Sequence, residues 1–533
     1  MTRIQHIYRR RLPPQRVITQ ELARYMTELS SEINRQIGVI IDRRGNIEYV
    51  IVGDTKGLLL PDLKRVRVGK ARFRGLRCIH TNLNGEGISR DDLTDLALLR
   101  LDLICSLHTL PDGLPGTIQQ AHLLPENPQN QQWEILPPCP ISQLDTDFLS
   151  FINSLEDEFA KTQGIRGVGD LRDRAILVSV TVGKISEAED SLRELDELAD
   201  SSGVVVLDKV LQHRKEINPK FVMGLGKLND LVIRSLQLGA DLLIFDQNLS
   251  PAQIRSISDV TELKVIDRTQ LILDIFAQRA HSRDGKIQVE LAQLKYLLPR
   301  LTARDTDMSR LTGGIGGRGP GETKLEIDRR RVRDRIHRLE KEIEQLGRGR
   351  EQRRAKRARR AISVLSIVGY TNAGKSTLLN ALTKSQVGVG DYLFATLDPT
   401  SKRLRFPKER EVIITDTVGF IRDLPKDLMA AFRATFEELQ DADLLLHIVD
   451  VSNPQFLDQM KAVEKILTEL NLDDIPKLLV FNKEDKVPSE IVKNLCQLHD
   501  AVSISAIDVN TLSKLLKRTQ LTLWEDDEWE EEL

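Results

Sequence analysis

Cysteine is scarce. Cys78, Cys105, Cys139 and Cys496 are the four present in 533 residues, and no two form a C-x-x-C pair. That argues against a disulfide framework or a zinc ribbon and fits a reducing cytoplasm. Long apolar runs are missing too, since no stretch approaches the roughly 18 consecutive apolar residues of a spanning helix. The Arg-rich opening, Met1 to Pro13, lacks the apolar core of a signal peptide. A cytoplasmic protein, with at most partial membrane association, is the expectation. Overall excess charge is also absent: 77 Lys+Arg against 79 Asp+Glu leave −2. What remains is an ordinary globular composition, 40% hydrophobic and 29% charged. The length allows roughly three or four domains.

The balanced charge hides segregation. Residues 329–360 carry 15 Lys/Arg against 5 Asp/Glu, an excess of +10, whereas 524–533 carry seven acidic residues and no basic one. The basic block reads as a polyanion contact, most plausibly nucleic acid, or as a solvated helix face.

The most informative stretch is Gly369-Tyr370-Thr371-Asn372-Ala373-Gly374-Lys375-Ser376, followed by Thr377. It matches G-x-x-x-x-G-K-[ST], with an apolar run (362–368) before it and helical spacing after it. Strand, glycine loop and helix are the context that lets successive backbone N–H groups and the helix N-terminus surround a phosphate. Lys375 is then the residue that reaches the outer phosphates, and the Ser376 hydroxyl is a Mg²⁺ ligand. Downstream, an apolar run leads into Asp416-Thr417-Val418-Gly419, a D-x-x-G that offers Asp416 to the Mg²⁺ shell through water and the Gly419 N–H to the γ-phosphate. Next comes Asn482-Lys483-Glu484-Asp485, an N-K-x-D. The Asp485 carboxylate can accept from the guanine N1–H and 2-amino group, whereas adenine would leave it unpaired. At ~1.5–3 kcal/mol for a hydrogen bond to a charged group, that selects guanine by roughly ten- to a hundredfold. Ser505-Ala506 supply a second guanine wall. Each tetrapeptide alone is weak, but four in order, each at the carboxyl end of a strand, predict a GTPase.

The chain is read as α/β and multidomain: an N-terminal α+β extension (1–150), a linker (151–172), a small parallel βα domain (173–285), a long antiparallel helical hairpin (286–360), a P-loop GTPase domain (361–522) and an acidic tail (523–533). In the extension, Ile37–Asp42 and Ile47–Val52 flank Arg43-Arg44-Gly45-Asn46 as a hairpin. The Pro-, Gln- and Asn-rich stretch 115–140 reads as containing an exposed loop. Gly224-Leu225-Gly226 reads as a tight turn rather than a nucleotide site. In the hairpin, Ile287, Leu291, Leu294, Leu298 and Leu301 recur at 4-3-4-3 spacing, as do Val332, Ile336, Leu339, Ile343 and Leu346. The second helix is expected over 322–346, roughly 37 Å at ~1.5 Å per residue. Between the arms, residues 311–321 hold six glycines in eleven residues, without a G-K-[ST] ending. This is a flexible tip suited to binding rather than packing.

With the tip 311–324, the switch run 416–425 and Phe245-Asp246-Gln247-Asn248-Leu249-Ser250-Pro251, the chain resembles the HflX family of ribosome-associated GTPases over roughly residues 170–510. That resemblance implies binding of GTP/GDP and of the ribosome, especially the large subunit and its rRNA, and splitting of stalled or idle ribosomes under stress. The contacts would be the tip (Gly313, Gly314, Gly316, Gly317, Arg318) and the basic arm from Arg329, Arg330 and Arg331. A monomer is expected. Other readings are a GTPase in ribosome assembly or RNA modification, and a nucleotide-gated adaptor. Phe420 follows Gly419 where Ras-like enzymes carry a water-orienting Gln, so intrinsic hydrolysis should be slow unless ribosome contact stimulates it; Phe420 could equally be a core aromatic. Asn372 resembles the Asn that, in GTPases with such a substitution, coordinates K⁺ beside the phosphates. Thr396 matches the switch I Thr that closes on Mg²⁺. Lys375, Thr396 and Gly419 are thus the candidate catalytic groups. In the extension, His80-Thr81-Asn82 with Ser89 to Asp92 resembles the H-x-H…S-x-x-D signature of JAMM-type zinc hydrolases. Asn82 stands where a second His is needed, which favours a metal-free relic.

Overall fold

The computed structural model describes residues 2–55, 57–58, 60–61, 72–129, 131–163, 172–261, 263–301, 324–358, 362–383, 400–406, 411–416, 419–421, 429 and 437–524. The chain divides into two compact units: residues 1–188, 205–244 and 252–265 in the first, and 189–204, 245–251 and 266–533 in the second.

In the first unit, helices α1 (Thr2–Tyr8) and α2 (Gln20–Ile33) precede the antiparallel pair β1 (Ile37–Asp42) and β2 (Ile47–Val52). The expected hairpin turn is there, with Gly45 at φ +87°. β3 (Leu76–Asn82), α3 (Arg90–Leu98), β4 (Leu103–Thr109), β5 (Pro115–Leu123), β6 (Trp133–Ile135) and β7 (Cys139–Pro140) follow. The sheet order is β2-β1-β3-β4-β5-β6, with β7 also paired to β5. In the segment 115–140 the loop falls after β5, over 124–129; β5 itself buries Ile118, Ala121 and Leu123, and Pro115 sits at the strand's first position, where its missing N–H does no harm. The expected linker likewise opens with α4 (Phe148–Gln163). Its Phe148, Ile152, Leu155 and Phe159, spaced along one helix face, are buried in the same core as α2 and β1.

The βα alternation continues through β8 (Arg174–Thr181), α5 (Ile185–Ser201), β9 (Val205–His213), α6 (Leu225–Leu238), β10 (Leu242–Phe245), α7 (Pro251–Val260) and β11 (Lys264–Asp267). The four strands form a sheet of order β11-β10-β8-β9, with β8 and β9 parallel. Gly224 is the N-cap of α6, consistent with a turn. Ile233 of α6 joins the N-terminal core, and Gln237 donates to the carbonyls of Leu124 and Gln131. The segment 173–285 is thus shared between the two units, with α5 from Glu189 and the loop 245–251 in the second.

In the second unit, α8 (Arg268–Arg279) and α9 (Arg283–Leu297) lead to the arm helix Lys324–Ala358. Ile287, Leu291 and Leu339 are buried together, with Leu294, Ile336, Ile343 and Leu346 packed around them, as the two heptad seams require. Arg335 grips Glu290 through two hydrogen bonds of 2.7 and 2.8 Å, and Lys295 pairs with Glu340 at 2.8 Å. The arm helix runs on past the expected end near residue 346. Residues 348–358 are mostly Arg, Glu, Gln, Ala and Lys, all good helix formers, and contain no proline. Its 35 residues extend roughly 52 Å at ~1.5 Å per residue. The glycine-rich tip and the acidic tail beyond Trp524 lie outside the described residues.

The GTPase-like domain is a six-stranded sheet of β12 (Ser363–Gly369), β13 (Thr400–Arg405), β14 (Glu411–Asp416), β15 (Leu444–Asp450), β16 (Lys477–Asn482) and β17 (Val502–Ser503), in the order β13-β14-β12-β15-β16-β17. β12, β14, β15, β16 and β17 are parallel along this order, and β13 runs antiparallel to β14. Leu365, Ile367, Ile414, Leu446, Ile448 and Val480 form its core with Leu378 of the helix Lys375–Thr383 and Leu512 and Leu515 of the helix Leu512–Leu523.

Candidate guanine-nucleotide site

The parallel register brings the motifs to one sheet edge. Ile367 of β12 stands beside Asp416 of β14, Gly369 beside Ile448 of β15, and Asp450 beside Asn482 of β16. The carboxyl ends of parallel strands, next to the N-terminus of the following helix, are where α/β sheets bind phosphorylated ligands.

Two glycines are required here, one in the phosphate loop and one in the D-x-x-G. At Gly374 φ is +90°, and an added Cβ would lie 2.2 Å from Asn482 Nδ2. At Gly419 a Cβ would stand 2.8 Å from Thr371 Cγ2 and 3.0 Å from Lys375 Nζ, so any side chain there would fill the cradle. Lys375 is buried and donates to the Tyr370 carbonyl at 2.6 Å. Burial pushes its pKa down to about 8, with Asp416 opposing the shift. A cation held this way, in a dry site and on a carbonyl it can exchange, is suited to a phosphate. Ser376 Oγ donates to Asp416 Oδ2 at 2.7 Å, placing two hard oxygen donors side by side, as a small divalent cation needs. Thr396 lies outside the described residues.

Phe420 is buried, as a core aromatic would be, and its main chain is laced to the phosphate loop. Its N–H donates to the Gly369 carbonyl at 3.1 Å, and its carbonyl accepts from Thr371 N at 2.8 Å. Asn372 is exposed at φ +61°.

The residues expected to read the base line a cavity of about 300 Å³, bounded by Asn372, Gly374, Thr377, Asn482, Lys483, Asp485, Ser505 and Ala506. Asp485 accepts the Ser505 hydroxyl at 2.6 Å. A carboxylate has about four acceptor positions, so capacity remains for two donors of a base edge. Asn482 works as a pin: Nδ2 donates to the Ala373 carbonyl at 2.8 Å, and Oδ1 accepts from Ala506 N at 2.9 Å. One side chain thus fixes the phosphate loop against the base loop.

Sequence reasoning missed two features. Asp450 pairs with Lys483 at 2.7 Å and steadies the N-K-x-D turn, where Lys483 has φ +64°; an apolar strand ending in Asp was a usable signal. Glu194, far away in sequence, accepts a hydrogen bond from the Tyr370 hydroxyl, and no motif marks it. In the arm, Arg330 and Arg331 are exposed, whereas Arg329 donates to the Leu301 carbonyl at 2.6 and 3.2 Å and closes the mouth of the hairpin. Tip residues Gly313 to Arg318 lie outside the described residues. In the extension, Asn82 Nδ2 donates to the Glu86 carbonyl, its Oδ1 accepts from Asn84 N at 2.9 Å, and Asp92 closes the capping box of α3 with Ser89. The zinc-like signature is thus taken up in local structure, with His80 Nε2 standing 3.3 Å from Asp92.

A glycine loop, a D-x-x-G and an N-K-x-D at one edge of this sheet define a P-loop GTPase. Three family models match in chain order: "GTP-binding GTPase N-terminal" over residues 189–277, "GTP-binding GTPase Middle Region" over 279–357 and "50S ribosome-binding GTPase" over 364–483. GTPase HflX of Caldanaerobacter subterraneus subsp. tengcongensis is 48% identical over 357 residues, which cover 67% of this chain and 82% of that protein. GTPase HflX of Escherichia coli K12 is 46% identical over 316 residues, 59% of this chain and 74% of that protein. Among solved structures, SsGBP in complex with GDP aligns over 66% of this chain and 100% of its own at 26% identity, with a TM-score of 0.40. The chain belongs to the HflX family of GTPases. No described helix is long and apolar enough to cross a membrane.

Proposed function

We propose that this GTPase works on the ribosome: it binds the large subunit through the helical arm and glycine-rich tip, and uses GTP to split stalled or idle ribosomes under stress. The observation that carries the reading is the arm itself. A 35-residue helix presents Arg330 and Arg331 to solvent, and a basic surface of this kind suits a phosphate backbone. The match of residues 364–483 to a model described as "50S ribosome-binding GTPase" supports it.

Mg²⁺ would be held by Ser376, by Thr396 and, through water, by Asp416; when bound it neutralises charge on the transferring phosphoryl group. Lys375 would bind the outer phosphates, and the Gly419 N–H the γ-phosphate. The guanine edge would be read by Asp485 and walled by Ser505 and Ala506. A phenyl ring at 420 cannot orient water, so hydrolysis draws on a further aid. K⁺ on Asn372 would supply positive charge beside the phosphates, and ribosome contact would stimulate turnover further. The protein acts as a monomer in the cytoplasm.

The test is GTP hydrolysis with and without purified large subunits, together with sedimentation of intact ribosomes. Stimulated hydrolysis and GTP-dependent appearance of free subunits are expected. Unstimulated hydrolysis with intact ribosomes would point instead to a nucleotide-gated adaptor.

A further inference from the structure

Tyr370, the second residue of the phosphate loop, is a junction. Its carbonyl accepts Lys375 Nζ at 2.6 Å. Its backbone bridges Phe420 at the start of the second switch. Its buried ring delivers the hydroxyl to Glu194 Oε1 on α5. The other oxygen of Glu194 takes Arg268 Nη2 at the first turn of α8. Arg268 Nη1 then donates to Asp246 at 2.9 Å and to Ser191 at 3.2 Å. Side-chain exposure along this line is 13% at Glu194, 7% at Arg268 and 7% at Asp246. All of these residues belong to the second unit.

A buried ion pair is weak evidence for stability, because desolvation offsets much of the attraction; its attested use is to fix register. Here the register fixed is that of Tyr370. Burial alone would lower the Arg268 pKa, but Glu194 and Asp246 outweigh it and hold the guanidinium charged well above its usual range. A permanently charged guanidinium between two carboxylates holds Glu194 in one place. Glu194 in turn fixes the tyrosine whose main chain touches both Lys375 and Phe420.

We infer that Glu194 and Arg268, which lie outside all four nucleotide motifs, are positioning residues of the GTPase site, holding the phosphate loop through the Tyr370 hydroxyl. Both act through Tyr370 and keep the first half of the loop in the shape that wraps phosphate. The inference rests on nucleotide binding at the phosphate loop and is independent of any action on ribosomes.

The experiment uses the full chain and a fluorescent GDP. Wild-type binding is measured first, and its absence would refute the nucleotide site and this inference together. Tyr370→Phe keeps the ring and the Glu194–Arg268 pair and removes only the hydroxyl. It should weaken binding and raise KM for GTP by about tenfold, the loss of one hydrogen bond to a charged group, with a smaller change in kcat. Glu194→Ala should do the same, and the double variant should be no weaker than either single variant, because both remove one link. Independent losses that multiply in the double variant would overturn the inference, as would wild-type affinity in Tyr370→Phe. Since Tyr370→Phe leaves the buried pair intact, it decides the question even if Glu194→Ala proves unstable. A lowered melting temperature with unchanged KM would assign the network a structural role only.

Discussion

Two polar clusters in this chain look alike as sequence and differ as chemistry. In the second unit Asn482, Asp485 and Ser505 sit at the carboxyl ends of parallel strands around a cavity of about 300 Å³. Asp485 takes one internal hydrogen bond, from Ser505, and faces a base-sized space. In the first unit His80 and Asn82 lie in the last residues of β3 and Asp92 in the first turn of α3, but the Asn82 amide is engaged at both ends and Asp92 closes the capping box of α3. The two clusters differ in where acceptor capacity is left: Asp485 keeps it toward an open cavity, whereas the Asn82 amide and the Asp92 carboxylate are spent on their own turn and helix cap, with the His80 ring buried beside them.

The sharpest way to break the first half of this comparison is Asp485→Asn. The amide donates where the carboxylate accepted, so GTP affinity should fall roughly ten- to a hundredfold, from the loss of ~1.5–3 kcal/mol, while xanthosine triphosphate gains. Full retention of GTP affinity would show that the cavity does not read guanine through Asp485.

A smaller effect, severalfold, is expected from replacing Na⁺ by K⁺ at constant ionic strength. Hydrolysis should rise in K⁺, and Asn372→Ala should remove the difference. Equal wild-type rates in the two salts would contradict a K⁺ site at this exposed, left-handed residue. The second half of the comparison predicts no effect. Elemental analysis of purified protein should find no stoichiometric zinc, and His80→Ala should leave GTP hydrolysis unchanged. One zinc per chain, lost in His80→Ala, would turn the relic into a site.

The G domain was legible because its chemistry is local. Each motif is a tetrapeptide or octapeptide at the end of an apolar run, and β12 (Ser363–Gly369) begins and ends within a residue of the run 362–368. The heptad seams were legible for the same reason, since Ile287, Leu291 and Leu339 carry their own periodicity. Other features are set by partners distant in sequence. β5 was hidden because Gln119, Gln120 and Pro115 obscure an alternation that only the neighbouring β4 makes meaningful. α4 was hidden because its apolar face is completed by residues more than a hundred positions away, among them Val17, Leu22 and Met26. The Tyr370–Glu194 contact spans 176 residues and leaves no mark in the sequence. Arg329 shows the converse: charge composition placed it with Arg330 and Arg331 on a polyanion surface, whereas its geometry ties it to Leu301.

The central claim is that the arm and tip do work on the ribosome that the nucleotide site only powers. Replacing residues 313–321 with a short Ser-Gly turn and following ribosome splitting by sedimentation in the presence of GTP tests it most directly. The arm extends roughly 52 Å at ~1.5 Å per residue, and unstimulated hydrolysis and GTP binding should stay near wild type while splitting falls sharply. Splitting at the wild-type rate by the shortened protein would contradict the claim, and loss of unstimulated hydrolysis would show that the loop serves the GTPase site instead.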